Sequence, residues 1–176
     1  YIRHIDRETD RRNGCEVNHT NLDINAELTL ENESFFRNEL GLWEKTQQSK
    51  DMSGAVKRRI QYAKEHGARI AKVGKNDTVI ARPIVIQMDT EMIENHRDYW
   101  YWDVIEILEG MFGENNIVGF SIHRDETNVH VHVIFVPCME KKKDNGKVKC
   151  AISQTKFFRN PKELAGMHRK MRKALN

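Results

Sequence analysis

The sequence predicts an α+β protein, a two-layer sandwich in which helices pack on a largely antiparallel sheet. Three observations predict it. Two β-branched runs, Ile117 to His123 and Val129 to Val136, are separated by five residues, the length of a hairpin loop. A third apolar run, Val79 to Met88, precedes them. Segments with helical apolar spacing flank these strands without the regular alternation that a parallel sheet requires. A chain of 176 residues supports one domain with a sizeable core, taken as residues 1–176. Its first residue is Tyr1 rather than Met, which allows for missing sequence at both ends.

The elements follow in order. Residues 1–32 are polar and loop-like. Phe36, Leu40 and Trp43 recur at spacings of four and three, which predicts an amphipathic helix over 33–48 capped by Asn32 or Ser34. Ser53 opens a second helix through Lys57, Ile60 and Ala63 that ends near Gly67. Pro83 cannot donate to a ladder, so the strand over 79–88 belongs at a sheet edge or carries a bulge. Asp89-Thr90 caps a helix to about Phe112 with Trp100, Val104, Leu108 and Met111 on one stripe. Asp144-Asn145-Gly146 is a turn leading into a strand over Val148–Ile152. Asn160-Pro161 begins a last helix whose stripe is Leu164, Met167 and Met171. All helices are expected on one face of the sheet.

Composition excludes several classes. Mean hydropathy is −0.72 and 39% of residues are hydrophobic, which fits a soluble folded chain rather than a disordered one. No apolar run approaches the roughly 20 residues that span a bilayer, and no secretory signal pattern is present. Cys15, Cys138 and Cys150 are odd in number and lack metal-ligand spacing, so free thiols in a reducing compartment are expected. The net charge of +3 conceals a pattern. Lys57 to Lys75 holds seven Lys/Arg against Glu65, and Lys141 to the C-terminus holds twelve against Asp144 and Glu163. Between them, Asp89 to Glu114 carries eight Asp/Glu against Arg97. The acidic stretch reads as a solvated helix on the far side of the sheet; the basic stretches suit a polyanion.

Chemistry concentrates in one hairpin. Alternate residues of a strand share a face, so His130 and His132 project together while Val129, Val131, Val133 and Phe135 point the other way. His123 ends the partner strand, within cross-strand reach of both. Three imidazoles on one pleated surface form a metal site with open positions. Histidines scattered on a polar face are the bland alternative, but three of the eight fall within ten residues in strand phase. Asp125 and Glu126 in the turn are placed to orient a histidine or act as a base. Imidazoles alone suit zinc; a phosphate-handling site suits a harder divalent ion equally well.

The hairpin, His123-Arg-Asp125-Glu126-Thr-Asn-Val-His130-Val-His132 with Pro137 closing the strand, resembles the metal motif of HUH endonucleases. More narrowly, it is similar to the HxDExxxHxH pattern of plasmid mobilisation relaxases of the Mob/Pre (MobV) type, with Val129 where those proteins usually have Pro. His4-Ile-Asp-Arg7 is similar to their HxxR motif, and Asn21-Leu-Asp23-Ile-Asn25 to the segment that follows it. Ungapped counting places Asn32 at the Asn of a degenerate NYxL motif.

The resemblance implies a single relaxase domain. It implies site- and strand-specific nicking of a plasmid or mobile-element transfer origin, with a covalent 5′-phosphate adduct, for mobilisation or plasmid recombination. It implies a manganese or magnesium ion, zinc being a further option, on His123, His130 and His132. His4 is then the nucleophile, Arg7 a phosphate ligand, and Glu126 the group that sets the nucleophile's tautomer or takes its proton. Asn32, Lys57, Arg58, Arg59, Arg69, Lys72 and Lys75 are expected DNA contacts, as are Lys141, Lys142, Lys143, Lys147 and Lys149. The partners implied are single-stranded or hairpin origin DNA and accessory mobilisation and coupling proteins, in a bacterial cytoplasm and away from membranes. Tyr1 is the rival nucleophile. A three-His hydrolase acting through activated water is the rival activity, and a nucleic-acid-binding module with a structural metal is a third reading.

Overall fold

The structure, a computed structural model, describes residues 2, 7, 8, 12, 23–71, 78–87 and 99–175. Its strands are β1 (Glu33–Arg37), β2 (Trp43–Thr46), β3 (Arg82–Gln87), β4 (Ile117–His123), β5 (His130–Phe135), β6 (Cys138–Lys142) and β7 (Val148–Ile152). Its α-helices are α1 (Ser49–Glu65), α2 (Trp100–Phe112) and α3 (Pro161–Leu175). Five strands form an antiparallel sheet in the order β2-β1-β4-β5-β3, and β6 and β7 form a separate two-stranded ribbon. The expected α+β class, the hairpin of β4 and β5, and the ribbon turn are all present. So is the edge position of the strand containing Pro83.

The predicted helix over 33–48 is instead the β1–β2 hairpin. Residues 33–36 pair with β4, placing Phe35 opposite Phe120 and Phe36 opposite Gly119. Asn38 then closes the turn: its side chain accepts the backbone N–H groups of Leu40 and Leu42, and Gly41 takes φ +76°. Strand pairing with residues far along the chain overrides a weak helical spacing.

The helices divide between the two faces of the sheet, rather than sharing one. Phe120, Ile122, Val131, Val133 and Phe135 share one face and pack with Val104, Ile105 and Leu108 of α2 and Met167 and Met171 of α3. On the other face, Val118 and Ile134 pack with Met52, Val56 and Ile60 of α1. Gly119 points at α1, where an added Cβ would lie 3.2 Å from Met52 Cγ and 3.3 Å from the Phe35 carbonyl. Burial on both faces makes β4 and β5 apolar along most of their length, and each fully buried Leu or Ile contributes about 1.5–3 kcal/mol. The acidic α2 therefore lies on the face away from α1, as expected of it. α1 ends as predicted at Gly67, whose φ of +90° the absence of a Cβ permits.

Candidate metal centre and active site

His130 and His132 sit two residues apart on β5, directly across from His123 and Ser121 of β4. The pleat sends all three imidazoles to the same face as Gly119, the face that α1 covers further along the strands. His123 is fully buried, and His130 and His132 are each 8% exposed. One ring nitrogen from each lies within 4.8 Å of the others, a spacing that would hold a metal ion.

The donor set fits a divalent ion. The His130 Nδ1 lies 2.8 Å from the Asn128 carbonyl, so Nδ1–H donates there and Nε2 keeps its lone pair for the centre. That Nε2 lies 2.9 Å from the Nε2 of His132. Both nitrogens are therefore close enough to serve one divalent ion. His123 Nδ1 stands 3.4 Å from both Glu126 Oε1 and Arg7 Nη2.

Behind the histidines is a buried charge cluster. Arg7 is 1% exposed. Its Nε donates to Asp125 Oδ2 at 3.0 Å and its Nη2 to Glu126 Oε1 at 2.7 Å. The Thr29 hydroxyl donates to Asp125 Oδ2 at 3.0 Å, and the Asn25 backbone N–H to the Asp125 carbonyl at 2.6 Å. Burial by itself would raise the Asp125 pKa. The neighbouring Asn32 amide, Arg7 and His123 outweigh it and hold the carboxyl below its ordinary value. Arg7 has φ +53°, a left-handed conformation that a side chain tolerates only when its surroundings enforce it. Beyond that turn, Glu8 accepts the Ser49 backbone N–H at the start of α1 at 2.8 Å. Adjacent residues thus anchor the N-terminal segment to the metal hairpin and to α1.

The structure places most of the expected site residues. Arg7, expected as a phosphate ligand, is buried with its guanidinium on the Asp125 and Glu126 carboxylates. Asn32, read as a DNA contact, is buried with its Oδ1 accepting the Arg124 backbone N–H at 2.6 Å, which fixes the turn after His123. Arg59 is likewise no surface cation: it is buried, donating to Asn116 Oδ1 through Nε and Nη2 and to Glu140 Oε1 at 2.6 Å. Lys57 and Arg69 are exposed, and Arg58 is half-buried with Nη2 on the Arg37 carbonyl. His4, Tyr1, Lys72 and Lys75 lie outside the described residues.

Lys141, Lys142, Lys143, Lys147 and Lys149 are all exposed on the β6–β7 ribbon. The ribbon follows the end of β5 remote from His130, about 17 Å along the strand, so these lysines do not surround the histidines. Thr29 and Glu8 escaped the sequence reading. No local pattern marks a threonine or a glutamate whose partner is about a hundred or about forty residues away.

Two adjacent strands of the sheet thus bring a histidine and a His-x-His pair together beside carboxylates, a cluster that could hold one divalent ion. The chain belongs to the plasmid recombination enzyme family (Mob_Pre), whose pattern matches residues 2–176. No curated protein sequence matches it. Among solved structures it is similar to the MobM relaxase domain (MOBV; Mob_Pre) bound to plasmid pMV158 oriT DNA and manganese. The TM-score is 0.65 at 20% identity, over 99% of this chain and 76% of that one. A second structure of that domain, bound to a 23-nucleotide oriT DNA and manganese, matches with a TM-score of 0.58 at 19% identity, over 89% and 72%. Among the described residues no helix is long and apolar enough to cross a membrane.

Proposed function

We propose that this relaxase cuts one strand of a plasmid or mobile-element transfer origin by attack of His4 on the scissile phosphorus. The new bond is N–P, the broken bond is P–O3′, and the chain stays joined to the 5′ phosphate while a 3′ hydroxyl leaves. The observation that carries this reading is the burial of Arg7 among Asp125, Glu126 and His123. Three residues of chain span at most about 11 Å, and this short link from Arg7 supports His4 over residues further along the chain as the nucleophile. Tyr1, six residues from Arg7, has about twice that tether.

His123, His130 and His132 would hold a manganese or magnesium ion. When bound, the ion supplies Lewis-acid polarisation of the scissile phosphate. Glu126 is half-buried beside the cluster, where it sets the tautomer of the attacking imidazole or takes its proton. Asp125 and Arg7 keep Glu126 and the N-terminal segment in register. A neutral imidazole attacks at neutral pH, and the phosphoramidate keeps enough energy for religation.

The DNA runs over the α1 side of the sheet, where Lys57 and Arg69 contribute exposed positive charge, and away from the acidic α2 face. A two-stranded ribbon fits a major groove, so the β6–β7 lysines engage a distant paired arm of the origin. Two free buried cysteines, Cys138 and Cys150, suit a bacterial cytoplasm, where accessory mobilisation and coupling proteins would meet the complex.

The test presents a supercoiled plasmid bearing the cognate origin, with Mn²⁺, to wild type, His4→Ala, Tyr1→Phe and His130→Ala. A covalent protein–DNA adduct is expected in wild type and Tyr1→Phe, and absent from the other two. An adduct that survives His4→Ala overturns the nucleophile assignment. Cleavage by wild type without any adduct favours activated water instead.

A further inference from the structure

The metal centre is closed on one flank and open on the other. Toward β4, His123, Asp125 and Arg7 are almost completely buried. Toward β3 the exposure rises. Val85 is the direct cross-strand partner of His132, and Gln87 the partner of His130. Directly opposed residues share a face and stand about 5 Å apart at Cβ, so Val85 and Gln87 extend the histidine surface outward. Their neighbours Ile84 and Ile86 turn to the opposite face and pack into the α2 core. On the histidine face, Pro83 and Gln87 are exposed, and Val85 is 55% exposed. A lone exposed valine is ordinary on a protein surface. Here it lies directly across from His132 of the candidate metal centre, on a flank more exposed than the β4 side.

We infer that Val85 and Gln87 form the subsite for the nucleotide next to the scissile phosphate, a reading that rests on the relaxase function above. Val85 offers an apolar surface to the deoxyribose or base face. Gln87 offers a donor and an acceptor on one planar amide, the pair that reads a base edge presenting both, adenine foremost. An ion held by the histidines would engage phosphate, which carries no sequence information. Base choice at the nick therefore comes from groups adjoining the centre, and these two adjoin it by strand register. Both are positioned by an edge strand whose other face is anchored in the core, so the subsite is rigid.

The experiment uses a pool of supercoiled plasmids carrying random inserts, nicked with Mn²⁺, the nick sites being read by sequencing. Wild type is compared with Gln87→Ala, Gln87→Asn and Val85→Ala. Wild type is expected to prefer one base at a position adjoining the nick. Gln87→Ala should still nick, with that preference reduced about tenfold and other positions unchanged. Gln87→Asn keeps the amide on a shorter side chain and should retain part of the preference. Val85→Ala should raise KM severalfold on the best wild-type site while kcat stays within about twofold. All three variants should bind Mn²⁺ and melt as wild type does, since neither side chain is buried.

Failure of the two readings is distinguishable. If wild type nicks no plasmid, the relaxase reading fails and takes the subsite with it. If wild type nicks and the variants keep its base preference and KM, the subsite assignment alone is overturned. A loss of Mn²⁺ affinity in Gln87→Ala also overturns it, because the residue would then act through His130.

Discussion

Replacing Arg7 by Met removes the cation from a cluster that has almost no access to water. Asp125 is fully buried and Arg7 is 1% exposed, with Nε on Oδ2 at 3.0 Å. Solvent cannot substitute for the guanidinium there, and Asp125 keeps the Thr29 hydroxyl, the Asn32 amide and His123 as its remaining neighbours. Breaking a buried pair by deleting one partner costs about 3–5 kcal/mol, because an uncompensated charge remains. That is a large share of the about 5–15 kcal/mol that stabilises a typical domain. With a urea slope of about 2 kcal/mol/M, the unfolding midpoint should fall by about 1.5–2.5 M. The assay is urea denaturation followed by circular dichroism, with chelator present so that metal binding adds nothing to either chain. In the double variant Arg7→Met/Asp125→Asn the fully buried leftover charge is gone and only the part-exposed Glu126 remains, so part of the stability should return. A single variant as stable as wild type would refute the reasoning. So would a double variant no more stable than the single, because the cost would then come from packing rather than charge.

Other outcomes follow from the same geometry. Gly119→Val should lower stability by about 1–3 kcal/mol in a thermal melt, because its side chain meets Met52 and the Phe35 carbonyl at 3.2–3.3 Å. Burial, the largest influence, pushes the Cys138 thiol from 9.0 up to about 12. At pH 8 its thiolate fraction, and hence its alkylation rate in a Cys15→Ser, Cys150→Ser background, should be about a thousandfold below that of the unfolded chain. The raised value also carries a sign for stability. Its contribution is complete below the unfolded thiol's pKa and is lost as pH rises toward 12, so alkaline unfolding should come later in Cys138→Ala. Neutralising Lys141, Lys142, Lys143, Lys147 and Lys149 to Gln should flatten the salt dependence of origin binding by about 0.7–0.9 for each phosphate no longer neutralised, with nicking of bound DNA unchanged. An unaltered salt slope would place the DNA elsewhere.

Much of the site was legible because its geometry is local. His123, His130 and His132 lie on two adjacent strands joined by a short loop, so strand phase alone brings them together. Pro83 announced an edge strand, and Asp144-Asn145-Gly146 a turn, for equally local reasons. What misled was spacing without partners. Phe36, Leu40 and Trp43 suggested a helix, yet Phe35 and Phe36 are paired with Phe120 and Gly119, more than eighty residues on. The basic residues misled in a similar way. Arg7 and Arg59 look like surface cations in a one-dimensional string, but each is buried against a carboxylate more than eighty residues away.

By itself, then, the sequence determined β3, β4, β5 and β7, the hairpin of β4 and β5 and the clustering of three histidines, because each depends on side-chain alternation or turn chemistry within about a dozen residues. The tertiary structure alone decided which cations are buried and which remain for a polyanion. It alone divided the helices between two faces, and it alone left the metal centre open beside Val85 and Gln87. Those outcomes depend on which distant segments pair and what they exclude from water, and no local periodicity encodes that.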